Sequence, residues 1–279
     1  MINLNHINFR YSSKESVLED LTLSLAPGHI YGLLGRNGVG KTSLMYILSG
    51  LRFPNDGQCS VIGFTPQQRK VDFLQQVYFL PDEIYFPPGA IDKYLALYTP
   101  FYPGFNSVMF YDLLAEFDIR ADVHPAKLSL GQRKQIAICF ALALRAKVLL
   151  LDEPTNALDI PAKKIFRKII AGGLQEDQII MISTHQVKDL ESLIDHVLIL
   201  DGQKMIIDRS IDELTNRIAF KYAADLEDIP NVIYSERALR GYATLSANLK
   251  GEYTKFDMEL FFNAVLDQKQ KVLSVLEVK

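Results

Sequence analysis

The chain of 279 residues contains no tryptophan and only two cysteines, Cys59 and Cys139, in unrelated contexts. Such spacing supplies neither a disulfide framework nor a zinc-type ligand set, so both are read as reduced thiols. An excess of one charge is also missing: 30 Lys and Arg against 33 Asp and Glu leave a formal net charge of −3. That balance gives no electrostatic reason to expect nucleic acid as a partner. No apolar stretch approaches the roughly 18 residues that a membrane-spanning helix needs. The longest candidate, Ile136 to Leu144, is cut off by Arg145 and Lys147. The start, Met1 to His6, lacks the basic residues and apolar core of a signal peptide. A membrane role would therefore run through a partner, and the chain itself is expected to be cytoplasmic. Its length suits one large domain with a small appendage.

Short period-two runs (Ile2/Leu4, Ile7/Phe9, Leu21/Leu23/Leu25) with turn signals at Ser12-Ser13 and Pro27-Gly28 read as strands within residues 1–34. A further strand is expected at Gln58–Ile62, after the turn Pro54 to Gly57. Helical spacing marks Ala90–Tyr98, Ser107–Phe117, Gly131–Leu144 and Ala162–Gly172. Apolar runs at Lys147–Leu151, Gln178–Ser183 and Val197–Leu200 read as strands buried on both faces. Such strands alternating with helices predict an α/β fold with a mainly parallel core sheet. After about Thr215 the pattern resets. Strands are expected at Ile218–Ala223, Val232–Ser235, Tyr242–Ala247 and Val272–Val278, with a helix at Asp257–Leu266. We read residues 215–279 as a small α+β appendage with its own core.

Between the strand Ile30–Leu34 and a helical run from Thr42 to Ser49 stands Gly35-Arg36-Asn37-Gly38-Val39-Gly40-Lys41-Thr42-Ser43. Strand, glycine loop, Lys-Thr, helix is the arrangement of a phosphate cradle. Glycines let successive backbone N–H groups turn inward, and the helix N-terminus adds its partial positive charge. Lys41 can reach the β- and γ-phosphates, and the Thr42 hydroxyl can ligate Mg²⁺. A nucleoside triphosphate is the expected ligand of this P-loop.

The strand Val148 to Leu151 ends in Asp152-Glu153-Pro154. Asp152 suits Mg²⁺ through the ion's water shell, and Glu153 suits orienting and partly deprotonating an attacking water.

Leu128-Ser129-Leu130-Gly131-Gln132 before the long helix would alone pass for an N-cap serine followed by glycine. Together with the loop at 35–42 and the strand ending at Glu153, it resembles the signature motif of ABC-family ATPases. Asn156-Ala157-Leu158-Asp159 resembles that family's D-loop, His185 its switch histidine, and Tyr11 the aromatic that stacks on adenine. The resemblance spans residues 1–214 and implies a P-loop NTPase with N-terminal antiparallel strands and a helical subdomain at about 83–135. It also implies ATP and Mg²⁺ as cofactors, Glu153 and His185 as the catalytic pair, and nucleotide contacts from Ser129, Gly131, Gln132 and Asp159. Two such domains pair head to tail with ATP between the P-loop of one and the signature of the other.

Two departures stand out. Leu130 replaces the glycine usual at that signature position. Asp82, in Phe79-Leu80-Pro81-Asp82-Glu83, falls where the family presents a glutamine to Mg²⁺ and to its membrane partner, and as a shorter, charged side chain it is expected to ligate Mg²⁺ with Thr42 and Asp152. The aromatics between Tyr98 and Phe117 suit either a docking groove or the core of the helical subdomain, and a mixture is expected.

The resemblance implies the ATPase subunit of an ABC transporter, most like export systems, working with a second ATPase subunit at the inner face of the membrane. A separately encoded integral membrane permease would be the other partner. A soluble ABC ATPase without a permease, for example in cofactor assembly, stays open as an alternative.

Overall fold

The computed structural model describes residues 1–13 and 15–277. Strands β1 (Ile2–Ser12), β2 (Glu15–Leu25) and β3 (His29–Leu34) are followed by α1 (Lys41–Leu48) and β4 (Asp56–Val61). A short α2 (Val71–Leu74) leads to β5 (Val77–Leu80) and then to α3 (Ile91–Tyr98), α4 (Ser107–Glu116) and α5 (Leu130–Ala143). Next come β6 (Val148–Asp152), α6 (Ile160–Gly173), β7 (Ile179–Thr184), β8 (His196–Asp201) and β9 (Lys204–Ser210). The remainder is α7 (Ile211–Arg217), β10 (Ile218–Ala223), β11 (Val232–Arg237), β12 (Tyr242–Ala247), α8 (Met258–Asp267) and α9 (Lys269–Glu277).

Six strands form the central sheet in the order β5-β6-β7-β3-β8-β9, with only the β8–β9 pair antiparallel. This is the expected mainly parallel α/β core. Its strands are apolar on both faces, and their period of two divides them between two packed layers. Leu149 and Leu151 of β6, with Ile180 and Ile182 of β7, join the helices α3 to α6. Val148 and Leu150, with Ile179 and Met181, join α1 and the antiparallel sheet β2-β1-β4. Asp152 has the parity of Val148 and Leu150, which carries its carboxylate toward α1.

β3 lies between β7 and β8, though it precedes both by more than a hundred residues. The chain therefore departs from β3 and returns on either side of it. In open parallel sheets such a reversal of strand order leaves a crevice at the C-terminal strand ends. The loops after β3, β5, β6 and β7 all open there.

The aromatics between Tyr98 and Phe117 divide between core and surface. Phe110 and Phe117 are buried beside Phe140 of α5, whereas Phe101 is exposed. Tyr94 and Phe140 meet edge to face, with ring centroids 4.9 Å apart.

Two expectations for the C-terminal part are corrected. The segment expected as a strand at Val272–Val278 is helical through Glu277; Val278 lies outside the described residues. Val272 and Leu276, one helical turn apart, are the buried pair. Packing on α8 and α7 selects that spacing over the strand preference of the valines. Nor is the core of this part its own. Phe220, Leu245, Phe261 and Val272 belong to the same apolar cluster as Leu190, Ile194 and the core-sheet strands. A unit of this length buries a small share of its surface alone, and this one completes its core against the larger one.

Candidate functional site

Gly40 caps α1 with φ +109, a backbone region closed to ordinary L-residues. An added Cβ there would also stand 3.0 Å from the Val17 side chain. At Gly38, φ is +79, and a Cβ would meet nothing within 4 Å, so the loop's turn faces open space. Lys41 runs back beneath this loop. Its Nζ donates to the carbonyl oxygens of Gly35 (2.7 Å) and Arg36 (3.1 Å). The ammonium is almost fully buried, and burial lowers its pKa below the ordinary lysine value despite the opposing charges of Glu153 and Asp152. A cation so desolvated is set up to gain from an arriving anion. Val39 packs inward against the β3 and α1 layer.

Thr42 Oγ1 donates to Asp152 Oδ2 at 2.7 Å. The other Asp152 oxygen accepts a short hydrogen bond from Ser183 Oγ at the end of β7. Ser183 thereby orients the carboxylate toward the first turn of α1. Glu153 has φ +46, and this left-handed turn, costing about 1–2 kcal/mol, brings two neighbouring carboxylates to one side of the sheet. Its backbone N–H donates to the Ser183 carbonyl at 3.2 Å. His185 Nδ1 lies 2.9 Å from Glu153 Oε1, while Glu153 Oε2 is buried with no hydrogen-bond partner among the described residues.

These groups line one crevice of about 580 Å³ together with Tyr11, Glu15, Val17, Asn37, Ser43, Asp82 and Asn156. The size suits a nucleotide, and the orphaned carboxylate oxygen suits a water or hydroxyl donor. Mg²⁺ is usually held by one or two carboxylates and substrate phosphates rather than by an all-protein cage. Thr42 and Asp152 meet that requirement. Tyr11 stands at the rim, its hydroxyl 3.0 Å from Ser43 Oγ and the Arg52 guanidinium 5.6 Å above its ring.

Asp82 reaches the crevice with one oxygen engaged: Lys134 Nζ donates to its Oδ1 at 2.9 Å and to its backbone oxygen at 2.7 Å. Ser129, Gly131, Gln132 and Asp159 do not line the crevice of their own chain. Ser129 and Gln132 form a reciprocal capping box at the start of α5, and Asp159 caps α6 by accepting from the Ala162 N–H at 2.9 Å. The box uses the amides of Ser129 and Gln132, and those of Leu130 and Gly131 are the other first-turn donors. Gly131 is required locally as well, since a Cβ there would stand 2.5 Å from the Ala157 carbonyl.

Sequence reasoning missed Glu15, Val17 and Asn156 as lining residues. Asn156 lay within the quoted D-loop and could have been found there. Glu15 and Val17 carry no motif, and only the pairing of β2 with β1 brings them over the P-loop.

The ABC transporter family model matches residues 18–156. The ABC transporter ATP-binding protein NatA of Bacillus subtilis (strain 168) is 27 % identical over 252 residues, covering 86 % of this chain and 99 % of NatA. The bacitracin transport ATP-binding protein BcrA of Bacillus licheniformis is 30 % identical over 221 residues, covering 78 % of this chain and 72 % of BcrA. A solved ATP-binding subunit of an ABC transporter superposes with a TM-score of 0.70 at 24 % identity, covering 77 % of this chain and 91 % of that one. The last likeness shows the fold.

Proposed function

The chain belongs to the ABC transporter family of ATP-binding proteins, and from that we propose that it is an ATPase subunit powering a separate membrane permease, in an export system. That it binds ATP and is an ATPase follows from the family itself. Among the described residues no helix is long and apolar enough to cross a membrane. The transmembrane path in this reading belongs to another chain, which holds the ATPase at the inner face of the membrane. The exposed apolar groove of about 440 Å³ lined by Leu51, Val71, Leu74, Phe79, Phe101 and Tyr102 supports a docking role. Residues 1–214 act as the ATPase domain in this proposal and 215–279 as an accessory domain.

In the proposed mechanism the P-loop amides and Lys41 hold the triphosphate, and Tyr11 offers its ring to the adenine. Thr42 and Asp152 would hold Mg²⁺, which would supply positive charge against the triphosphate. Ser183 fixes Asp152 for that task. Glu153 accepts a proton from the attacking water through Oε2, its Oε1 being occupied by His185. As the water oxygen bonds to the γ-phosphorus, the bond to the β-bridging oxygen breaks and ADP leaves. His185 keeps Nε2 free for the water or the γ-phosphate.

The placement of the signature carries the dimer reading. The first-turn amides that the capping box leaves, those of Leu130 and Gly131, lie away from the crevice of their own chain and suit a γ-phosphate bound to a second copy. ATP then bridges two subunits, and hydrolysis removes the bridge. Glu153→Gln, saturated with ATP, is expected to slow turnover by orders of magnitude and to elute as a dimer on size exclusion. A variant that stays monomeric at high concentration, or hydrolyses ATP at the wild-type rate, overturns this reading.

A further inference from the structure

Lys134 is an ionisable side chain that the mechanism above does not use, and it is 1 % exposed. A buried ammonium is costly unless an anion faces it. Here the anion is Asp82, on the loop after β5, 52 positions earlier in the chain. The carboxylate is half exposed and stands on the wall of the nucleotide crevice with Asp152 and Glu153. Asn156 Nδ2 approaches the same Oδ1 at 3.3 Å, so Lys134 and the D-loop grip one oxygen and leave Oδ2.

With Glu15 also on the wall, four carboxylates around a site for a tetra-anionic substrate would oppose binding. We propose that Lys134 is a positioning residue that neutralises Asp82 and pins its loop to the signature helix, so that the crevice presents Asp82 to the triphosphate as half of a neutral pair. The proposal rests on the nucleotide-site reading above. It also accounts for a carboxylate being tolerated where the resemblance expects a neutral amide: the second charge comes from α5 of the same chain. Through the two bonds to Asp82, a displacement of this loop pulls directly on the helix that begins at Leu130.

The test is a double-mutant cycle of Lys134→Gln and Asp82→Asn, read by displacement of a fluorescent ATP analogue in excess EDTA and again with Mg²⁺. Lys134→Gln leaves an unpaired carboxylate on the wall and weakens metal-free ATP binding by about tenfold, less so at high salt. Asp82→Asn removes the carboxylate, keeps the cation, and strengthens metal-free binding several-fold. The double variant returns to within about twofold of wild type, in binding and in thermal midpoint, because both charges leave together. Should Lys134→Gln fail to fold, the other two variants still decide the matter. Weaker metal-free binding in Asp82→Asn, no recovery in the double variant, or a lowered thermal midpoint in Lys134→Gln with unchanged affinity overturns the proposal. Lys41→Ala separates this from the parent reading: its loss of ATP binding upholds the phosphate cradle whatever Lys134 does, and retained binding overturns the cradle itself.

Discussion

His185 Nδ1 and Glu153 Oε1 lie 2.9 Å apart, joining the ends of β7 and β6 across the mouth of the nucleotide crevice. A carboxylate only accepts, so Nδ1–H donates and the imidazole is held with Nε2 outward. The glutamate is mostly buried and the histidine is 40 % exposed, which leaves the ring room to swing while the carboxylate stays fixed. The bond thus leaves the two carboxylate oxygens unlike, Oε1 anchored and Oε2 without a partner among the described residues, and the proposed mechanism gives Oε2 the proton.

His185→Ala is expected to lower kcat by roughly 10²-fold or more while changing the KM for ATP little. The histidine touches Glu153, the proposed water-activating group, and not the P-loop. Steady-state kinetics check it, and a rise in KM with kcat preserved would reassign His185 to nucleotide binding.

Gly131→Ala pits two effects against each other. Alanine in place of glycine within a helix gains up to about 1 kcal/mol, but its Cβ would stand 2.5 Å from the Ala157 carbonyl and force the D-loop aside. Overpacking of this kind costs about 1–3 kcal/mol, so the net change is a loss of up to about 3 kcal/mol. Because Asn156 beside it lines the crevice, turnover should fall while ATP binding persists. Denaturant unfolding and an ATPase assay on one preparation test both halves. Increased stability with unchanged turnover would refute the clash.

Alkaline pH should weaken the fold through Tyr31. Burial pushes its phenol from 10.0 to about 12, against a partly compensating bond to the Ala26 backbone, and Asp195 and Asp208 push the same way. The hydroxyl donates to the Ala26 carbonyl at 2.9 Å and accepts from its N–H at 2.8 Å. The folded state holds a proton that the unfolded chain releases near pH 10. This contribution is therefore complete below pH 10 and disappears as pH climbs through about 12. Tyr31→Phe should be less stable at neutral pH by about 1 kcal/mol and lose less between pH 10 and 12. Urea unfolding of both proteins across that range measures the difference. Parallel curves would place the alkaline sensitivity in the other buried tyrosines.

Much of the crevice was legible because its parts are local. Residues 35–43 declare a phosphate loop by glycine spacing and by the strand and helix around them. Asp152 and Glu153 stand out as carboxylates after four aliphatics. Val272, Leu273, Val275 and Leu276 have the i, i+3, i+4 spacing of a helix, yet the β-branched Val272 and Val275 favour a strand. A strand would need an open sheet edge, whereas α7 and α8 offer this segment an apolar helix face.

By itself the sequence determined the phosphate loop, the paired carboxylates, the order of the family motifs and the strands buried on both faces. Each follows from residue type and from periods of two or 3.6 within one segment. Tertiary structure alone decided that Lys134 answers Asp82, that Ser183 aims Asp152 at Thr42, and that Glu15 and Asn156 face the same crevice. The first depends on α5 packing beside β5, and the others on β3 being threaded between β7 and β8, arrangements that no local period encodes.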